Sequence, residues 1–267
     1  MLELIKAVIL GIIQGITEWL PISSTGHMIL FDEFFKMNVS NSFRDMFFVI
    51  IQLGSIMAVV VLFFKKLNPF LGSKNKEEKI DTYKIWFKVA FSSIPAVIGG
   101  LFLDDYVEKI YNTKVVSISL IVYGIIFIVI ENMHKKQKIN SLKDLDYKTA
   151  FLIGVFQVLA LIPGTSRSGS TIIGALLLGT SREIAMEFTF FLAIPVMFGA
   201  SFLKLIKYGL AFSSLELSIL LTGSLVAFLV SLVVIRFCMK FVKNHDFKVF
   251  GYYRIILGSL ILLCFAN

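Results

Sequence analysis

Residues 150–178 read AFLIGVFQVLALIPGTSRSGSTIIGALLL, an apolar stretch with a polar break in its middle. Residues 4–30, LIKAVILGIIQGITEWLPISSTGHMIL, follow the same plan. The Pro, Gly, Ser and Thr residues in each break disfavour one continuous helix. Each stretch is predicted to form two half-helices that meet at a non-helical turn. A membrane tolerates such a turn only where it is buried in protein or lines a watery cavity. The sequence therefore predicts two re-entrant helical hairpins.

The composition places these hairpins among membrane-spanning helices. Of the 267 residues, 57% are hydrophobic and 16% are charged, and the mean hydropathy is +0.84. A soluble domain carries about 25% charged residues, so a cytosolic enzyme, a disordered chain and a disulfide scaffold are excluded. Six further apolar runs are long enough to cross about 30 Å of hydrocarbon: 46–64, 86–103, 115–130, 188–205, 217–239 and 250–266. The fold class is predicted as an all-α polytopic membrane protein with six transmembrane helices.

Two smaller features agree with this class. Glu3 and Lys6 interrupt the first apolar run and no small-residue cleavage site follows it, so a removable signal peptide is not expected. Cys238 and Cys264 lie in apolar stretches without a paired spacing. Both are predicted to be buried apolar residues rather than a disulfide or metal ligands.

The chain also repeats itself. Gly11-Ile-Ile-Gln14 is echoed by Gly154-Val-Phe-Gln157, and Pro21-Ile-Ser-Ser24 is echoed, one residue out of register, by Pro163-Gly-Thr-Ser166. Three apolar runs follow each broken stretch. We therefore expect a single integral membrane domain, 1–267, whose repeat halves 1–131 and 150–267 are joined by a basic cytoplasmic loop, 132–149.

Lysine and arginine residues indicate the orientation, because basic loops remain in the cytoplasm. The segments 65–88, 132–147 and 240–248 are rich in lysine, whereas 104–114 holds three acidic residues against two lysines. The basic segments are predicted to be cytoplasmic and the acidic one external, although Lys204 and Lys207 then lie at an outer end. The second half is thereby inverted relative to the first, which is the arrangement of an inverted-topology repeat. The same loops account for the net charge of +8, so nucleic acid is not an expected partner.

The first break carries a candidate cation site. Gln14 and Glu18 are four residues apart and share one helix face. An ionised Glu at membrane depth needs a partner, a cation or water. Two oxygen ligands suit a divalent cation, Mg²⁺ or Ca²⁺, with substrate phosphate completing the shell. The alternative is a Glu18 at the membrane interface beside Trp19, since Trp is common at that depth.

The residues after Glu18 form a cluster of hydroxyls. Ser23, Ser24 and Thr25 supply hydroxyls at the turn, and Gly26 allows close approach of a ligand to the backbone. His27 is three residues from Ser24 and is a candidate acid or base. The alternative is that these small residues pack between helices while His27 is a satisfied polar residue.

The second break is a candidate anion site. Arg167 is costly inside a membrane unless it is paired or solvated. It stands just before a predicted half-helix, whose N-terminus attracts anions, and its guanidinium can bind two phosphate oxygens. Ser166, Ser168 and Thr171 add hydroxyls, so the segment is predicted to bind phosphate. The alternative is an Arg167–Glu18 salt bridge with a structural role only.

Together these motifs resemble the undecaprenyl-diphosphatase family of bacteria, the bacitracin-resistance type. The resemblance covers nearly the whole chain, and it includes IQLGSIMA at 51–58, FLAIP at 191–195 and YRIILG at 253–258. Gln14 and Glu18 match the family's pattern of Glu or Gln, three residues, then Glu. Residues 163–171 match its Pro-Gly-x-Ser-Arg-Ser-x-x-Thr box. Gln14 replaces the commoner Glu, so Glu18 is the only carboxylate of the first box.

The resemblance implies hydrolysis of undecaprenyl diphosphate to undecaprenyl phosphate and phosphate, which recycles a lipid carrier of cell-wall synthesis and confers bacitracin resistance. The expected location is the bacterial plasma membrane, with the active site open to the outer face and the polyprenyl chain in a groove lined by some of the 27 Phe residues. A homodimer is left open. The alternative is a secondary transporter or lipid flippase for a phosphorylated substrate, since inverted repeats with broken helices are typical of transporters.

The proposed chemistry rests on Ser24, His27, Glu18 and Arg167. Ser24 is predicted to be the nucleophile with His27 as its base, because three helical residues would bring the imidazole near the hydroxyl. In the competing scheme, His27 activates water directly and Ser24 only donates a hydrogen bond.

Overall fold

A computed structural model describes residues 1–133, 137–209 and 211–265 of the chain. Within these ranges it describes every side chain except those of Ile29, Asp32, Glu33, Phe34, Asp104, Asp105 and Glu108. His134, Lys135 and Lys136 of the predicted basic loop therefore lie outside the described residues. The side chains of the predicted acidic group, Asp104, Asp105 and Glu108, lie outside them as well.

The described part of the chain is helical and forms no β-strand. A 3₁₀ turn, Leu159–Leu161, follows the seventh helix. In chain order the α-helices are α1 (Leu2–Thr17), α2 (Ser24–Phe34), α3 (Asn41–Leu62), α4 (Phe64–Leu67), α5 (Lys76–Ile110), α6 (Thr113–Asn132), α7 (Tyr147–Val158), α8 (Arg167–Leu177), α9 (Arg182–Tyr208), α10 (Ser214–Asn244) and α11 (Lys248–Phe265).

Six of these helices are long and apolar enough to cross a membrane, and each contains most of one predicted run. They are α3, α5, α6, α9, α10 and α11. Their most apolar windows have mean hydropathies between 1.6 and 2.5. The predicted fold class, an all-α polytopic membrane protein, is therefore confirmed.

Some of these helices extend further than the apolar runs. Helix α5 has 35 residues, which corresponds to about 52 Å at 1.5 Å per residue and exceeds the roughly 30 Å of hydrocarbon. Its first turns belong to the basic segment 65–88 and its last turns to the acidic segment 104–114. Both segments were expected to be loops and are partly helical, because a helix can continue beyond the hydrocarbon once its side chains reach water.

Both broken stretches have the predicted interruption. Helix α1 ends at Thr17 and α2 begins at Ser24, with Pro21 between them. Helix α7 ends at Val158, and α8 begins at Arg167 after the 3₁₀ turn and Pro163. Proline lacks a backbone N–H and cannot continue a helix without losing a hydrogen bond. The re-entrant path of the two hairpins through the membrane stays a prediction.

Glycines bring the long helices into backbone contact. A Cβ on Gly124 of α6 would lie 2.7 Å from the carbonyl oxygen of Gly251 in α11, and a Cβ on Gly251 would lie 2.7 Å from that of Gly124. Likewise, a Cβ on Gly11 in α1 would lie 2.7 Å from the carbonyl oxygen of Gly223 in α10. Small residues are the means by which helices pack closely in lipid. These crossings hold α11 against α6, and α10 against α1, the helix that precedes the first break.

Burial differs from the prediction at one cysteine. Trp19 is fully buried in the protein and meets Phe190 edge-on, with ring centroids 5.2 Å apart. The depth of Glu18 in the membrane stays a prediction. Cys238 is buried as predicted, but Cys264 is exposed. A membrane protein can present apolar residues outward to lipid, so an apolar neighbourhood in sequence does not require burial in protein.

Candidate active site

The two breaks meet in space although they are about 140 residues apart in the chain. The Ser168 hydroxyl donates to the carbonyl oxygen of Glu18 at 3.2 Å. A single guanidinium, that of Arg254, donates to Pro21 in the first break at 3.1 Å and to Gly164 and Thr165 in the second at 3.0 and 2.9 Å. The two turns are therefore joined through buried hydrogen bonds to backbone carbonyls.

Each break turns on a serine with an unusual backbone conformation. Ser23 has φ 71° and Ser166 has φ 76°, in a region that residues other than Gly seldom adopt. Each serine is the N-cap of the following helix, and its hydroxyl accepts from the N–H three residues later, at Gly26 and Gly169 respectively. Backbone strain of this kind concentrates at functional sites. Both turns thus present a helix N-terminus to the same region.

The Glu18 carboxylate is the centre of the polar cluster. Its Oε2 accepts from the Gln14 amide at 2.9 Å and from the Ser24 hydroxyl at 3.4 Å, and its Oε1 accepts from Arg167 at 3.2 Å. The carboxylate is 8% exposed and the Arg167 side chain 13% exposed. The structure thus brings together four residues that were predicted to act in catalysis or cation binding.

The Arg167 guanidinium is also bound by α9, through its Nη1 atom. Its Nη1 donates to the carbonyl oxygen of Thr189 in α9 at 3.1 Å, while the buried Nε has no hydrogen-bond partner among the described residues. The Thr171 hydroxyl donates to the carbonyl oxygen of Arg167 at 3.0 Å and accepts from Thr189 at 2.9 Å. The guanidinium is therefore oriented by α9 and paired with Glu18.

His27 is not placed beside Ser24. Its Nδ1 lies 2.8 Å from the carbonyl oxygen of Ser23 and its Nε2 lies 2.7 Å from the Tyr253 hydroxyl. A carbonyl oxygen only accepts, so Nδ1 carries the proton, and Nε2 of the neutral ring accepts from Tyr253. Both nitrogens are occupied, and no hydrogen bond joins the imidazole to the Ser24 hydroxyl, both of which are described. The Ser24 hydroxyl instead donates to Glu18, so the predicted Ser24–His27 contact is absent.

A cavity of about 320 Å³ opens beside this cluster. Glu18, Ser24, Thr25, Ser166 and Arg167 provide its polar wall. Its other lining residues come from the ends of α1, α5 and the 3₁₀ turn and from the middle of α3 and α9: Thr17, Gln52, Val107, Tyr111, Ala160, Leu161, Pro163, Gly164, Val196, Met197 and Ala200. None of these described lining residues is a phenylalanine, so the expected Phe-lined groove is not this cavity.

The remaining residues of the predicted phosphate site lie behind the cavity wall. Ser23 caps α2 through Gly26, Ser168 binds the Glu18 carbonyl, and Thr171 binds the Arg167 carbonyl. Ser23, Ser168 and Thr171 are almost fully buried. In this structure their hydroxyls hold the turns in shape, whereas Ser24, Thr25, Ser166 and Arg167 face the cavity.

Sequence reasoning missed three residues of the site. Arg254 is fully buried, Gln52 lines the cavity, and Thr189 orients Arg167. Arg254 and Gln52 are polar residues within apolar runs, so the argument that singled out Arg167 would also have found them. Thr189 orients the Arg167 guanidinium through its backbone carbonyl oxygen, and a pattern of side-chain types does not predict such a contact.

Comparison with known proteins identifies the family of this chain. The family described as Bacitracin resistance protein BacA matches residues 7–260. Undecaprenyl-diphosphatase 1 of Clostridioides difficile (strain 630) is 60% identical over 266 residues, which cover 99% of this chain and 97% of that protein. The undecaprenyl-diphosphatase of Acetivibrio thermocellus is 59% identical over 268 residues, covering 99% and 98%, and that of Enterococcus faecalis is 58% identical over 271 residues, also covering 99% and 98%. The resemblance seen in the motifs is confirmed, and this chain belongs to the bacitracin resistance protein BacA family.

Proposed function

We propose that this chain hydrolyses undecaprenyl diphosphate to undecaprenyl phosphate and inorganic phosphate in the bacterial plasma membrane. The observation that carries the proposal is the convergence of the Ser24 hydroxyl, the Glu18 carboxylate and the Arg167 guanidinium on one cavity. The named activity of the relatives supports it. The product is a lipid carrier of cell-wall synthesis, and bacitracin sequesters its diphosphate, so the activity confers resistance to that antibiotic.

The geometry favours Ser24 as nucleophile and Glu18 as its base. Ser24 Oγ attacks the terminal phosphorus, and the P–O bond to the bridging oxygen breaks and releases undecaprenyl phosphate. Glu18 takes the hydroxyl proton through the hydrogen bond already present. Water then attacks the phosphoserine, which gives inorganic phosphate and restores Ser24. Arg167 and the amides at the starts of α2 and α8 stabilise the negative charge on the transferring group.

His27 is then a positioning residue rather than the base. Through Nδ1 it holds the strained carbonyl of Ser23, and through Nε2 it is fixed by Tyr253, with the two rings parallel and their centroids 5.6 Å apart. The residue that precedes Ser24 is thereby fixed. This assignment replaces both earlier schemes, in which His27 activated Ser24 or water.

A divalent cation, Mg²⁺ or Ca²⁺, would be held by Glu18 and Gln14, the two neighbouring oxygen-bearing side chains of the first break. Within the described residues no group of three or more His, Cys, Asp or Glu could hold a metal ion. Hard cations take six or more oxygens, so the two side chains alone would not suffice, and water and diphosphate oxygens would supply the rest. Such a cation would supply neutralising charge to the diphosphate, while the protein residues carry the proton transfer.

The active site is proposed to open to the outer face of the membrane. Val107 and Tyr111, which line the cavity, lie at the end of α5 opposite to its lysine-rich start. Basic segments face the cytoplasm. Cysteines introduced at Lys109 and Lys76, in a chain without Cys238 and Cys264, should react from opposite sides of the membrane, and reaction of both in intact cells would contradict this orientation.

The inverted repeat is proposed on matching local geometry. Gly11 packs against the carbonyl oxygen of Gly223 in α10, and its echo Gly154 packs against that of Ser92 in α5. The two strained N-cap serines also correspond. Such an architecture is shared with transporters and flippases, and fold alone does not assign function. The hydroxyl beside a carboxylate favours hydrolysis, because a carrier has no use for an activated nucleophile.

The test is release of inorganic phosphate from undecaprenyl diphosphate by the purified protein in detergent. The wild-type chain should release one phosphate per lipid, and Arg167→Lys should be strongly impaired because Lys lacks the bidentate fork. Parallel assays with and without a chelator test the cation. A purified, folded protein that binds the lipid without releasing phosphate would contradict the proposal and favour the carrier.

A further inference from the structure

A second cavity, of about 570 Å³, lies at the lysine-rich start of α5. It is about 28 Å along that helix from the active-site end, judged from the 19 residues between Lys88 and Val107. Its described charged lining consists of five lysines and two acidic residues: Lys66, Lys74, Lys84, Lys88, Lys143, Glu78 and Asp81. The catalytic cluster contributes no residue to it.

Two of these lysines, Lys74 and Lys88, are held mainly by neutral oxygens, and Asp81, Asp144 and Asp146 act on Lys88 only at longer range. The Lys88 side chain is buried, and its Nζ donates to the carbonyl oxygens of Leu142 at 2.8 Å and Lys143 at 3.5 Å. The Lys74 Nζ donates to the Thr82 hydroxyl at 2.6 Å and to the carbonyl oxygen of Lys66 at 3.2 Å. No ion pair within 4.0 Å involves either ammonium among the described residues. Cations held by neutral oxygens in a partly dry cavity are stabilised by an added anion.

The acidic residues of the cavity are already engaged. Asp81 pairs with Lys143 at 2.7 Å and with Lys84 at 3.9 Å. Glu78 accepts from the backbone N–H of Asn75 at 2.8 Å, at the start of α5. The Lys66 ammonium pairs with Glu187 of α9 at 2.6 Å. Asp144 and Asp146, which do not line the cavity, also attract Lys88. The lining itself carries more lysines than carboxylates, and Lys74 and Lys88 are those without an ion pair within 4.0 Å among the described residues.

Exposed aromatic residues lie close in sequence to the residues that line this cavity. Phe70 is 80% exposed and meets Tyr83 edge-on, with ring centroids 6.5 Å apart. Phe87, one turn further along α5, is 64% exposed. Tyr83, which is 43% exposed, is of the amphipathic type that lies at the level of the lipid headgroups. A cationic cavity at that depth is positioned to receive a lipid phosphate rather than an anion from bulk water.

We infer that this cavity binds the phosphate group of an anionic membrane lipid, at a site separate from the catalytic one. Lys74, Lys84 and Lys88 contact the phosphate, and Phe70 and Phe87 lie against the acyl chains. Polybasic sites next to membrane spans attract anionic lipids with about 1 kcal/mol per lysine. Each lysine thus contributes about a fivefold preference over a zwitterionic lipid.

The test is native mass spectrometry of the purified protein in detergent, titrated with phosphatidylglycerol or phosphatidylcholine. The wild-type protein should retain one phosphatidylglycerol in preference to phosphatidylcholine. Lys74→Gln with Lys84→Gln should weaken phosphatidylglycerol retention by on the order of 25-fold. Lys240→Gln with Lys243→Gln removes the same charge from exposed positions on α10 and should leave retention unchanged. Unchanged phosphate release will show that all variants are folded.

Three outcomes would overturn the inference. Equal retention of the two lipids by the wild-type protein would remove the headgroup preference. An equal loss in the control pair would show attraction by surface charge alone. Displacement of phosphatidylglycerol by an equal concentration of inorganic phosphate would show that the cavity takes free phosphate instead of a lipid.

Discussion

The pairing of Glu18 with Arg167 yields a prediction that separates structure from catalysis. The pair joins two helix breaks at 3.2 Å, with both side chains largely removed from water. Glu18→Gln, Arg167→Gln and the double substitution form a cycle. Each single change leaves one charge without its partner, whereas the double change leaves two amides that can bond to each other.

The expected magnitudes follow from this burial. Breaking a buried ion pair by removing one partner costs about 3–5 kcal/mol in the free energy of unfolding. Replacing both partners is often nearly neutral, so the double variant should lie within about 2 kcal/mol of the wild type. The coupling should then exceed that of an exposed pair, which is about 0–1 kcal/mol.

In the double variant, turnover should stay low although the free energy of unfolding recovers. Glu18→Gln removes the base, which contributes about 10²–10⁴ in rate. Arg167→Gln removes the charge that faces the transferring phosphate, so the double variant should be stable and inactive. Unfolding in mixed micelles gives the free energies, and phosphate release per folded molecule gives turnover.

The pair of Glu131 and Arg182 is the matched control. Glu131 is buried, accepts from Arg182 Nε at 3.0 Å and lies outside the active-site cavity. Its cycle should show similar coupling in stability, with turnover of the folded protein retained. A double Glu18/Arg167 variant no more stable than the singles would refute the buried-pair reasoning. Turnover by Glu18→Gln close to wild type would refute the catalytic role.

Three further predictions concern single positions. Ser24→Ala should lower turnover by on the order of 10³ or more, whereas His27→Gln, which keeps a donor and an acceptor, should lower it less than about tenfold. Rapid-quench mass spectrometry of the wild-type protein should find phosphorylated Ser24. Robust turnover by Ser24→Ala would exclude the covalent route. Arg254→Lys should lower stability and kcat together, since an ammonium cannot span both turns, and an unchanged kcat would contradict its positioning role. Gln157→Met should raise the unfolding midpoint, because both amide atoms of the buried Gln157 lack a hydrogen-bond partner among the described residues. The matched Gln14→Met should reduce activity. A loss of stability in Gln157→Met would show that the amide is satisfied by water.

Much of the fold could be predicted because membrane helices leave a strong local signal. Apolar runs with no more than one charged residue each located the six long helices of the described chain, and the prolines at 21 and 163 located both breaks. The ends of α5 could not be placed in the same way. Hydropathy reports where the hydrocarbon ends, whereas a helix ends only where its backbone finds a cap or a turn.

The site was predicted in its members but not in its contacts. Glu18 and Arg167 were recognisable because a charge inside an apolar stretch is costly without a function or a partner. That Ser24 donates to Glu18, while His27 turns to Tyr253, depends on the strained backbone at Ser23 and on a helix far along the chain. Spacing along a sequence carries no information about either.

The sequence by itself determined the class of protein, the number of long helices, the two breaks and the residue types that meet a diphosphate. The tertiary structure decided which groups touch. It placed Arg254 across both turns, buried Trp19, and left the lysine cavity at the far end of α5. The physical reason is the distance along the sequence over which each effect acts. The free-energy cost of an unpaired charge or a broken helix depends on nearby residues. The partner that removes this cost lies on another helix, and the position of that helix depends on the packing of all the others.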